Sequence, residues 1–135
     1  MCCVLGYAGH DLSRERFTEL LLRTASRGPD DHRVLQTEFG WLGFGRLAIM
    51  GLTPAGMQPF QRGGDCVVCN GELYGFRPVR EKLMAEGWSF ASDSDCEILL
   101  PLYYQYGLDM FRHLDAEFAM VLYDSRRKWL IAARD

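Results

Sequence analysis

The sequence predicts an α+β fold with mainly antiparallel sheet, on three observations. Apolar residues recur at helical spacing in one early segment. Several short apolar runs carry no helical period and read as strands. Turn-forming pairs separate neighbouring runs, as hairpins require. The order is strands, helix, strands, helices, strands.

The elements follow in turn. Residues 3–8 are a short apolar run and read as a buried strand. Gly9-His10-Asp11 is turn chemistry, and Asp11 or Ser13 can cap the next helix. In that helix Phe17, Leu20, Leu21, Thr24 and Ala25 form one apolar stripe, with Arg14, Glu15, Glu19 and Arg23 opposite; Gly28-Pro29 ends it. Residues 33–49 read as a hairpin, with Val34 and Leu35 on one arm, Trp41 to Phe44 on the other and Phe39-Gly40 near the turn. Residues 51–64, rich in Gly and Pro, read as loop. Two strands, Cys66 to Cys69 and Leu73 to Phe76, flank Asn70-Gly71. A second helix spans 78–87, with Pro78 in its first turn, Val79, Leu83 and Met84 inward and Gly87 as the stop. Ser94-Asp95 opens a third helix that runs through Tyr106 to Gly107. Ile98, Leu99, Leu102, Tyr103 and Tyr106 point inward, and Pro101 inside it should bend it. Phe118 to Tyr123 and Trp129 to Ala133 form two more strands around Asp124-Ser125.

At 135 residues the chain is one domain or part of one. Apolar residues at 48% and charged residues at 24% suit a globular protein. The net charge of −3 argues against nucleic acid or an anionic membrane as partner. No apolar run nears the roughly 20 residues of a membrane span, and no signal peptide is visible, so the expected location is cytoplasmic. Five cysteines fit reduced thiols better than a disulfide framework. Cys66 and Cys69 lie in a strand-like run without a zinc knuckle, which favours core packing, and no metal ligands are assigned.

Cys2 follows the initiator Met directly. Removal of Met1 would leave a residue carrying a thiol and a free α-amine, a nucleophile and a base in one. The alternative is a buried cysteine that opens a strand. Asn70-Gly71 is a strong turn pair, yet an Asn amide and a Gly N–H could equally face a developing oxyanion. Arg46, between apolar residues, must be solvated, paired or bound to an anion such as a carboxylate. The acidic start Ser92 to Glu97 suits helix capping, or a carboxylate for a substrate ammonium group. Arg27-Gly28-Pro29-Asp30 reads as a helix stop.

These residues occur in one order: Cys2, Arg27-Gly28-Pro29-Asp30, Arg46-Leu47-Ala48-Ile49, Asn70-Gly71-Glu72-Leu73-Tyr74 and Ser94-Asp95-Cys96-Glu97. The set resembles the glutaminase domain of class II glutamine amidotransferases, the N-terminal-nucleophile hydrolases, and within them the asparagine-synthetase branch, toward which Pro29 points. The resemblance implies a four-layer αββα fold with two stacked antiparallel sheets, incomplete at its C-terminus. Residues 1–135 would be the glutaminase domain at the N-terminus of a longer protein. Cys2 would attack glutamine, with Asn70 and Gly71 as the oxyanion hole. Arg46 would hold the substrate α-carboxylate, Asp95 and Glu72 would address its ammonium group or the surrounding backbone, and Leu47, Ala48, Ile49 and Met50 would line the pocket through main-chain groups. Ammonia would pass to a C-terminal synthetase domain that makes asparagine from aspartate. ATP and Mg²⁺ belong to that domain, and no cofactor belongs to this segment. The resemblance allows a homodimer. Its rivals are an amidotransferase with a different acceptor, a silent scaffold of the same fold, and a cysteine-rich interaction or zinc module. Phe44 stands where the family leads one to expect His, Ala48 where Ser, Gly75 where Asn and Ser26 where His.

Overall fold

The computed structural model describes residues 2–49 and 52–135. Alternation along strand β1 (Cys3–Ala8) sets the layering. Cys3 turns to one side, where the Thr24 hydroxyl meets its sulfur at 3.0 Å. Val4 and Cys2 turn to the other and pack with Leu42, Phe44, Cys66, Val68 and Tyr123. β1 pairs with β3 (Gly40–Arg46), which also pairs with β2 (Asp31–Thr37); all are antiparallel. Helix α1 (Arg14–Leu22) covers the outer face of this sheet. Its buried Phe17 and Leu21 sit over Gly43, where a Cβ would come within 2.9 Å of the Phe17 ring.

The second sheet has the order β4-β5-β6-β7, again antiparallel: Phe60–Arg62, Asp65–Tyr74, Asp115–Asp124 and Trp129–Arg134. Strand β5 is buried on both faces, which is why residues 66–69 show no polar alternation. Cys66 and Val68 meet the first sheet, whereas Val67, Cys69 and Leu73 meet helices α2 (Phe76–Ala85) and α3 (Leu99–Tyr106). The layers are helix, sheet, sheet and helices, the expected arrangement. Cys66 and Cys69 point to opposite faces, so core packing holds and the two cannot share one ion.

Several expectations change. Asn70-Gly71 is not a hairpin turn; it lies in the middle of the ten-residue strand β5, with Asn70 opposite Ala119 and Gly71 opposite Phe118. The long pairing with β6 overrides the local turn preference. Phe76 leaves the strand and opens α2, behind Gly75 at φ 61°. That left-handed backbone suits Gly and Asn alike, which accounts for Gly75 in an Asn position. Met84 is 54% exposed, not inward. Helix α1 stops at Leu22, short of Gly28, and Thr24 and Ala25 are exposed in the turns beyond it. Within 51–64, Phe60–Arg62 forms strand β4 and Pro54–Gly56 a 3-10 turn. A 3-10 turn at Asp95–Ile98 precedes α3, so Pro101 falls in the first helical turn, where a missing N–H is harmless.

Candidate active site

A cavity of about 650 Å³ opens where the two sheets meet. Eight of the sequence-derived site residues line it: Cys2, Arg46, Leu47, Ile49, Asn70, Gly71, Glu72 and Asp95. Ala48 does not, because its main-chain N–H turns away to the Asp30 carboxylate at 2.7 Å. Met50 lies outside the described residues.

Cys2 is half-buried, and both main-chain groups of Leu47 meet its sulfur: the N–H at 3.3 Å and the carbonyl at 3.4 Å. Cys66 and Cys96 are poor candidates for attack. Burial pushes Cys66 up to about 12. Hydrogen bonding with Cys69, and then burial, holds Cys96 well above the ordinary thiol range. A protonated buried thiol is inert. Cys3 faces α1, away from the cavity, as strand alternation predicts.

Arg46 ends β3 and is 8% exposed, with Nη2 donating to the Thr53 carbonyl at 3.2 Å. Its segment is braced by the 27–30 loop. The Asp30 N–H donates to the Arg46 carbonyl at 3.0 Å, and buried Gly28 lies so close to Gly45 that a Cβ would sit 2.3 Å from its carbonyl. Arg27-Gly28-Pro29-Asp30 is therefore no helix stop but a buttress for β3. Sequence reasoning gave Asp30 no role; its place in the ordered motif was the available signal.

The edge of β5 is the most informative feature. Odd-numbered residues there direct their main-chain groups toward β4, which runs only from Phe60 to Arg62. Beyond β4, side chains take over. Gln58 accepts from the Cys69 N–H at 2.6 Å and donates to the Cys69 carbonyl at 3.0 Å. Asp95 Oδ2 accepts from the Leu73 N–H at 2.8 Å, while its Oδ1 accepts from the Cys96 N–H at 2.9 Å. Between them, strand alternation aims the Gly71 N–H into the cavity. The Asn70 side chain, at an even position, projects toward the inter-sheet side that holds Cys2. Asp95 and Glu97 also serve local structure, as helix-start carboxylates often do: Glu97 collects the Ala91 and Ser92 N–H groups and the Ser92 hydroxyl.

Glu72 and Glu117 stand directly opposite each other on β5 and β6, and both line the cavity. Facing like charges are unfavourable alone and favour a cation between them. Sequence reasoning missed Gln58 and Glu117, since neither belongs to a recognisable pattern. Among the described residues, no group of three His, Cys, Asp or Glu is placed to hold a metal, and no helix is long and apolar enough to cross a membrane.

A family model described as a glutamine amidotransferase domain matches residues 1–135, and the chain belongs to that family. Among curated proteins, "Amidase chry2" of Gibberella zeae is 45% identical over 115 residues, covering 82% of this chain and 17% of the relative. A probable glutamine-hydrolyzing asparagine synthetase of Acanthamoeba polyphaga mimivirus is 39% identical over 98% of this chain and 25% of the relative. Glutamine-hydrolyzing asparagine synthetase 2 of Arabidopsis thaliana is 38% identical over 100% of this chain and 24% of the relative. The chain thus spans about a quarter or less of the curated relatives it matches.

Proposed function

We propose that the cavity hydrolyses glutamine to glutamate and ammonia, with Cys2 as nucleophile once Met1 is removed. The observation that carries this reading is convergence: a thiol, a buried arginine, an Asn–Gly oxyanion pair and carboxylates face one cavity within the roughly 300–1,000 Å³ range of small-molecule sites. A zwitterionic amino acid needs a cation for its carboxylate and an anion for its ammonium group. Arg46 supplies the first with a bidentate fork. Asp95 and Glu72, with Glu117 opposite, supply the second, and Leu47 and Ile49 flank the substrate.

In this reaction the Cys2 sulfur bonds to the side-chain carbonyl carbon of glutamine, and the thiol proton passes to the α-amine. Negative charge on the carbonyl oxygen is met by the Asn70 amide and the Gly71 N–H. Collapse of the tetrahedral species breaks the C–N bond, and the α-amine returns the proton to the leaving nitrogen. Water then cleaves the γ-glutamyl thioester, releases glutamate and restores the thiol. No metal or cofactor enters these steps.

We further propose that the ammonia serves a C-terminal synthetase domain that binds ATP and Mg²⁺ and converts aspartate to asparagine. The asparagine synthetases that match nearly the whole chain support this acceptor. A different acceptor is favoured by two relatives named amidases, at 45% and 44% identity. The test of the glutaminase reading is glutamate release: Cys2→Ala abolishes it and Cys3→Ala leaves most of it, whereas the opposite ranking refutes the choice of nucleophile.

A further inference from the structure

Strand β4 pairs Phe60 with Val67 and Arg62 with Asp65. Continued, that register would set position 58 against Cys69, but the strand does not extend there. The Gln58 carboxamide takes the place of main chain, reproducing with its oxygen and nitrogen both bonds of an antiparallel pair to Cys69. It is 4% exposed, so no water stands ready to replace it. Cys69 immediately precedes Asn70-Gly71, and Asp95 fixes Leu73 on the far side. The edge at Gly71 is therefore anchored at both neighbours of its own parity.

We infer that Gln58 is a positioning residue for the oxyanion donors. By holding both main-chain groups of Cys69, it sets where the Gly71 N–H and the Asn70 side chain point. The inference rests on the glutaminase reading for its kinetic consequence, though its structural claim stands apart. Asp95 alone cannot do the same, because it holds only the N–H of Leu73, two residues beyond the donor. A chain free to shift at Cys69 would let the Gly71 N–H drift, and a misplacement of that kind erodes stabilisation of the transition state more than binding of the ground state.

Gln58→Met keeps the length and apolar contacts of the side chain and removes both bonds; Gln58→Glu keeps an acceptor and removes the donor. Each variant of the full chain is assayed for glutamine hydrolysis per folded molecule, for thermal stability, and for its backbone amide NMR signals. The expected result is a kcat lowered about 10–100-fold with KM within about 3-fold of the parent. The Cys69, Asn70 and Gly71 amide signals should shift together. A lowered Tm with unchanged kcat per folded molecule overturns the inference and leaves Gln58 a stabilising residue only. Should Gln58→Met fail to fold, Gln58→Glu decides by the same criteria. If the parent protein does not hydrolyse glutamine, that failure belongs to the Cys2 reading. The amide signals then decide: an unmoved Gly71 signal overturns the inference, and a moved one supports it.

Discussion

Gly71→Ala puts a methyl group against β6, the strand paired with β5 at the centre of the larger sheet. A Cβ at that position would lie 2.4 Å from the Glu117 carbonyl oxygen, 2.7 Å from the Phe118 Cβ and 2.8 Å from the Phe118 Cα. All three atoms belong to β6, so no side-chain tip can swing aside. Carbon atoms pack comfortably at about 3.5–4.0 Å, so β5 must withdraw by roughly 1 Å. Overpacking of this kind costs about 1–3 kcal/mol. For a chain of this size that lowers Tm by roughly 4–12 °C. The same withdrawal displaces the Gly71 N–H, and kcat should fall about 100-fold. Gly6→Ala is the control: also in a strand, it would place its Cβ an ordinary 3.5 Å from the Val121 methyl groups. Its stability should stay within about 1 kcal/mol of the parent. Thermal melts and ammonia release measure both effects. If Gly71→Ala matches Gly6→Ala in Tm and kcat, the placement of Gly71 is wrong.

Two further outcomes follow from the same structure. Arg46→Lys replaces a planar fork by a point charge at a site 8% exposed, and KM for glutamine should rise about 10-fold with kcat little changed; an unchanged KM removes Arg46 from the substrate. At the far end of the sheet, burial opposes ionisation of Asp124. Hydrogen bonds from the Arg127 N–H, the Tyr103 hydroxyl, the Arg127 guanidinium and the Arg126 N–H outweigh it and hold its pKa at about 2. A depressed folded pKa gives stability that is present above the unfolded value near 3.9 and lost as pH falls through about 2. The contribution is about 2 kcal/mol, so Asp124→Asn should lower the urea midpoint at pH 7, with the gap closing between about pH 4 and 2. A gap that is constant with pH refutes this.

The layers were legible because hydrophobic period and strand alternation report burial directly: Phe17 and Leu21 on α1, and the two-faced run of β5. Strand alternation likewise puts the Cys3 side chain on the face opposite Cys2. Asn70-Gly71 misled because its turn preference is local, whereas pairing with β6 is built from residues some 50 positions away. The end of α1 moved for a similar reason, since Gly28 answers to Gly45 rather than to the helix before it. Eight of the candidate site residues share one cavity because they came as an ordered set. Gln58 and Glu117 were invisible because what they do depends on where β4 stops and which residue faces Glu72, and neither fact has a local signature.

The central claim is a γ-glutamyl thioester on an N-terminal Cys2. Intact-protein and peptide mass spectrometry after acid quench with glutamine tests it most directly. The account predicts a chain lacking Met1, with a glutamyl adduct on the Cys2 peptide that Cys2→Ala abolishes. Turnover with Met1 retained, or an adduct on any other cysteine, would contradict it.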